Sequence, residues 1–202
     1  DHGFNRQGLR NPESAAMRYN YNVPGDNTDP DGLADIFRQR LLPVPLNTLS
    51  ALFQHEVIVL KSCFAPANNL RSDSQVEMYK AYYLEIREVM AAHPEKVFVL
   101  LTTPPLNPAE TNAEEAARAR ELATWLASPE FIAGQANIFV FDFFDSLAEQ
   151  NPAAADYNML RADFRDGADS HPNQAANEAV APLLASFLTE KIHQYQNEYS
   201  AQ

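Results

Sequence analysis

Near the end of the chain, Asp166-Gly167-Ala168-Asp169-Ser170-His171-Pro172-Asn173 sets two carboxylates ahead of a histidine and a proline behind it. An imidazole works as a general base when a carboxylate fixes its tautomer and stabilises the imidazolium formed on proton uptake. Asp169, two positions before His171, can supply that carboxylate, and Asp166 is the reserve. The plain alternative is that Asp169 or Ser170 caps the helix that follows, with His171 on the surface.

A framework must bring such residues together. Three apolar runs, Val57-Ile58-Val59-Leu60, Val97-Phe98-Val99-Leu100-Leu101 and Ile138-Phe139-Val140-Phe141, recur about every forty residues. Each is continuous rather than alternating, as a strand reads when both of its faces are covered. Between them lie amphipathic stretches. Gln75 to Met90 carries Val76, Tyr79, Tyr83, Ile86 and Met90 at helical spacing, and Ala113 to Leu126 carries Ala116, Leu122, Ala123 and Leu126, with Pro129 closing it. Alternating strands and helices predict a parallel sheet with helices on both faces. Short helices are expected at Asp31 to Gln39 and Leu46 to Phe53, and an edge strand at Met17 to Val23. The last segment, Gln174 to Gln196, is a helix whose interior Pro182 predicts a kink or a late start. No repeat or linker interrupts residues 1–202, which read as a single domain.

In an open parallel sheet, ligands bind beyond the carboxyl ends of the strands. Those ends lead into Lys61-Ser62-Cys63-Phe64, with Asn68-Asn69 beyond, then Thr102-Thr103-Pro104-Pro105, then Asp142-Phe143-Phe144-Asp145. Together with Asp-Ser-His-Pro-Asn before an amphipathic helix, this ordered set resembles the SGNH (GDSL-like) hydrolase superfamily from about Glu56 to Leu188. It looks closest to a divergent branch with a Lys-Ser-Cys-Phe motif after the third strand. The resemblance implies a three-layer flavodoxin-like fold, hydrolysis of an acyl ester such as a carbohydrate acetate, and a secreted or periplasmic setting. It makes His171 the general base and Asp169 its carboxylate, although the family places that Asp three positions before the His, where Ala168 stands here.

The family's Gly-x-Asn-Asp block after the third strand is absent, so oxyanion donors fall to Ser62, to backbone N–H groups beside Cys63, or to Asn68. The family's nucleophilic serine block is also absent. Counting strands backwards places the first, central strand and its serine before Asp1. Within the chain, Cys63 as a thiolate paired with His171 is the alternative nucleophile, against the plain reading of a small buried hydrophobe. A non-catalytic relative that binds a glycan or a protein is the other functional class to weigh.

The remaining features are bland. His55 lies at the wrong end of its strand, His93 belongs to a solvated turn, and His193 to an exposed helix face. Trp125 reads as core, and Tyr19 and Tyr21 as edge packing with sugar stacking as the alternative. No His, Asp or Glu set has metal-ligand spacing, and the six glycines form no dinucleotide or P-loop fingerprint, so neither metal nor cofactor is expected. Fifteen Lys and Arg against 27 Asp and Glu give a net charge of −12, which disfavours nucleic acid and anionic membranes as partners. The expected partner is a small-molecule or carbohydrate ester. The single cysteine rules out a disulfide framework.

Overall fold

The structure, a computed structural model, describes residues 30–62 and 70–199. Met17 to Val23, Cys63 and Asn68 therefore lie outside the described residues.

The three apolar runs form strands β1 (Val57–Leu60), β2 (Val97–Leu101) and β3 (Ile138–Phe141) with the boundaries expected of them. They are parallel, in the order β1-β2-β3, with Val57 opposite Val97 and Phe98 opposite Ile138. All five β2 residues are buried, because the middle strand is covered on both faces. Period-two alternation sends Ile58, Leu60, Phe98, Leu100 and Ile138 into one core and Val97, Val99, Leu101, Phe139 and Phe141 into another.

The first core is closed by helices α1 (Asp31–Phe37), α2 (Thr48–Leu52), α3 (Asp73–Ala91), α4 (Ala113–Leu126) and α5 (Pro129–Ile132). A short helix α6 (Phe143–Leu147) follows β3 directly. The second core is closed by the long helix α7 (Gln174–Tyr199), which packs on β2 and β3. The protein is thus α/β, a three-layer flavodoxin-like arrangement with three parallel strands among the described residues. On the α7 face β1 is covered less fully than β2. Val59 is 43% exposed while its register partner Val99 is fully covered.

The helices follow their apolar stripes. The buried residues of α3 are Val76, Tyr79, Tyr83, Ile86 and Met90, as the spacing predicts. On α4 the stripe gains Ala119. Asn112 caps α4 by accepting from Glu114 and Glu115 N–H. The helix ends at Leu126, ahead of Pro129 as expected, and Pro129 goes on to start α5, where a missing N–H is harmless in the first turn.

Two further expectations change. Of the two outcomes expected at Pro182, the late start does not occur, because α7 begins at Gln174 and runs through the proline. Pro182 and Glu178, whose carbonyl the proline leaves without a helical donor, both lie on the exposed side, where water can take the place of the lost bond. His93 is not simply solvated. Its ring packs edge-on to Phe53 at 4.7 Å between centroids, and Nδ1 lies 3.1 Å from Glu95 Oε1. Trp125 is half-buried at the rim, 5.1 Å from the Phe131 ring and beneath the Lys80 ammonium.

One buried side chain organises the turn between α3 and β2. Asn137 is 2% exposed, and its Nδ2 donates to the carbonyls of Met90, His93 and Lys96 at 3.0, 3.0 and 3.2 Å.

Candidate functional site

The carboxyl ends of β2 and β3 are joined by side chains. Thr102 Oγ1 donates to Asp142 Oδ1 at 3.1 Å and accepts from Phe144 N–H at 2.8 Å. Asp142 in turn caps α6 by accepting from Asp145 N–H at 2.9 Å. Burial holds the Asp142 carboxyl above the usual aspartate range, with the hydrogen bonds from Asp145 N–H and Thr102 opposing it.

A raised carboxyl pKa in the folded state contributes stability present below the ordinary aspartate range and lost as pH rises through the raised value. Asp142→Asn keeps a carbonyl oxygen for both donors and removes the buried charge. The variant is expected to melt at higher temperature than the parent at pH 7, and the gap is expected to close toward pH 3. A variant that melts lower at pH 7 would show that the charge is needed there.

The segment after β2 carries the histidine loop. Leu106 O accepts from Leu160 N–H at 2.8 Å, and the next residue, Asn107, is 3% exposed. Asn107 Nδ2 donates to the carbonyls of Gly167 and Asp169 at 3.0 and 3.1 Å, and its Oδ1 accepts from Ala109 N–H at 3.0 Å. Its backbone N–H donates to Ser170 Oγ at 2.9 Å, while Ser170 donates to the Glu110 carboxylate. Gly167 adopts a φ of +69°, a left-handed conformation that suits glycine, at the turn into this loop.

His171 and Asp169 meet on the loop so held. Asp169 Oδ1 lies 2.7 Å from His171 Nδ1 and also accepts from His171 N–H at 3.1 Å. A carboxylate only accepts, so Nδ1 donates, and a neutral ring then carries its lone pair on Nε2. That is the tautomer a general base requires. The two side chains are 39% and 66% exposed, so the pair contributes little to stability and its geometry bears on chemistry instead. Asp166, the reserve carboxylate, accepts from Asn173 Nδ2 at 3.3 Å.

The capping alternative is corrected. Asn173, not Asp169 or Ser170, caps α7, with Oδ1 accepting from Ala176 N–H at 3.1 Å. Ser170 is 2% exposed and faces inward to Asn107 and Glu110. Ser62 is also 2% exposed, and its hydroxyl pairs with the Tyr83 hydroxyl at 2.8 Å, joining the end of β1 to α3. Cys63 and Asn68 lie outside the described residues. Among the described residues no group of three His, Cys, Asp or Glu side chains could hold a metal ion, and no helix is long and apolar enough to cross a membrane.

Sequence reasoning missed Asn107 and Glu110, and named Thr102 in its Thr-Thr-Pro-Pro motif without its bond to Asp142. The one local signal was the Asn107-Pro108 pair, a turn-forming dipeptide. Comparisons with protein-family models, with curated proteins and with solved structures found no match to this chain.

Proposed function

We propose that the protein is an ester hydrolase of the SGNH type, cleaving acyl esters such as carbohydrate acetates, with His171 as general base and Asp169 as its carboxylate. The observation that carries this reading is the 2.7 Å Asp169–His171 Nδ1 contact, on a loop tied to the segment after β2 at the carboxyl end of the sheet.

In this mechanism the nucleophile is a serine on a strand that precedes this stretch of chain. Its oxygen attacks the ester carbonyl as its proton passes to His171 Nε2. The tetrahedral oxyanion needs hydrogen-bond donors, for which the sequence offers Ser62, the backbone after β1 and Asn68 as candidates. Collapse of the intermediate expels the alcohol, which takes the proton from His171 and leaves an acyl-serine. Water then attacks, again giving its proton to His171, and the acid departs as the serine regains its hydrogen. The Ser62 hydroxyl is engaged by Tyr83, which counts against its side chain as an oxyanion donor. Cys63 remains the nucleophile of the variant mechanism, and iodoacetamide labelling that abolishes activity would favour it.

The test uses the polypeptide extended upstream of Asp1. It is expected to hydrolyse p-nitrophenyl acetate and to label stoichiometrically with a fluorophosphonate. The absence of both turnover and labelling would overturn the reading. The engaged Ser62 and the absent Gly-x-Asn-Asp block favour one second reading, a non-catalytic glycan- or protein-binding domain. Saturable binding of acetylated oligosaccharides without acetate release would select it.

A further inference from the structure

We infer that Asn107 is the positioning residue for the His171–Asp169 pair, setting its geometry from the loop after β2; the assignment rests on the function proposed above. The His171 and Asp169 side chains are 39% and 66% exposed, so neither is locked by full burial. An exposed imidazole and carboxylate two residues apart have many rotamer combinations, of which few bring Nδ1 to Oδ1. The backbone held beneath them narrows that choice.

Asn107 fixes it at three points. Its Nδ2 grips the Gly167 carbonyl, at the left-handed turn, and the Asp169 carbonyl. The second bond orients the peptide plane that follows the very residue whose side chain must face the imidazole. Its backbone N–H grips the Ser170 hydroxyl, between Asp169 and His171, and Glu110 holds that hydroxyl from the other side. With residues 167, 169 and 170 held, Asp169 Oδ1 receives both the N–H and the Nδ1 of His171. Asn107 touches neither ring nor carboxylate in these bonds, so it acts through the loop and is not a catalytic residue.

A merely structural asparagine would stabilise the fold without affecting the imidazole, and the experiment separates the two roles. The full chain is labelled with nitrogen-15 histidine, and long-range proton–nitrogen spectra are recorded at pH 9, above the ordinary imidazole titration. The His171 ring is assigned by its disappearance in His171→Gln. The parent is expected to show His171 in the Nδ1–H form, and Asn107→Ala a mixture of both tautomers with a cooperative thermal transition retained. In the extended, ester-cleaving polypeptide, Asn107→Ala is expected to lower kcat on the order of 100-fold with KM within about twofold. An Asn107→Ala protein that keeps the parent tautomer and loses only thermal stability would overturn the inference.

If Asn107→Ala does not fold, Ser170→Ala, which releases the Ser170 hydroxyl from both Asn107 N–H and Glu110, is read in the same way. It is expected to mix the tautomers, and an unchanged Nδ1–H form would overturn the inference. The two proposals fail differently. Full activity in His171→Ala with the expected tautomer change removes the function and leaves the positioning, whereas an inactive His171→Ala with an unchanged Asn107→Ala tautomer does the reverse.

Discussion

Replacing His171 with alanine is expected to lower kcat for ester cleavage by the upstream-extended polypeptide by roughly 10⁴- to 10⁶-fold, with KM changed only a few-fold. The size follows from the two proton transfers assigned to the ring. Without it, a serine hydroxyl must lose its proton to water during attack, and the departing alcohol must leave without a placed acid. Residual rate comes from oxyanion donors and substrate binding, which the substitution does not touch. Leaving group matters as well. An alkyl acetate, whose alcohol needs a proton to depart, should suffer more than p-nitrophenyl acetate, whose phenolate leaves unaided. Asp169 acts on the ring rather than on the substrate, and its 2.7 Å contact to Nδ1 sets the tautomer. Steady-state rates for the parent and His171→Ala, measured on both esters, check the assignment, and equal rates in the two proteins would remove His171 from the mechanism.

The largest expected effect on stability lies at the centre of the sheet. Phe98→Ala should destabilise the fold by about 3–5 kcal/mol, the usual range when a buried aromatic ring is emptied from a core. Phe98 is completely buried on the middle strand, with ring centroids of Phe37 and Phe53 at 6.4 and 6.0 Å. Those two rings belong to α1 and to the end of α2, so the vacated space borders three elements and cannot be refilled by moving one. Domains have only about 5–15 kcal/mol in hand, so the variant should approach its unfolding threshold at moderate temperature. Urea titration reads this as a lower midpoint at unchanged slope. A loss below about 1 kcal/mol would mean that the neighbouring side chains close the gap.

The parts of the fold that could be read from residue order are those set by burial period. A strand covered on both faces must be apolar at every position, and the three runs appear as strands at their expected limits. The α3 stripe is likewise a direct image of its buried side. What resisted reading depends on distant partners. Pro182 breaks a helix by local rules, but its exposed placement leaves the freed carbonyl to solvent. Ser170 looks like a cap beside a helix start, yet its partners are Asn107 and Glu110, 63 and 60 positions away. Ser62 looks available after a strand until Tyr83, 21 positions on, is seen to take its hydroxyl. Of the site itself, the Asp169–His171 pair was legible because its two members are neighbours in the chain. Asn107, whose targets lie 60 positions or more downstream, was not.

Asn137 carries a consequence for how this chain can change in length. One amide group reaching Met90, His93 and Lys96 acts as a gauge for the connection between α3 and β2. Inserting or deleting a residue there pulls at least one carbonyl out of reach and leaves a buried polar group without its partner. Tolerance for added residues belongs instead to the stretch between α1 and α2, where Leu41, Val44 and Leu46 are 40%, 50% and 79% exposed. A tag or a grafted loop placed there leaves the sheet, and the loop that bears His171, undisturbed.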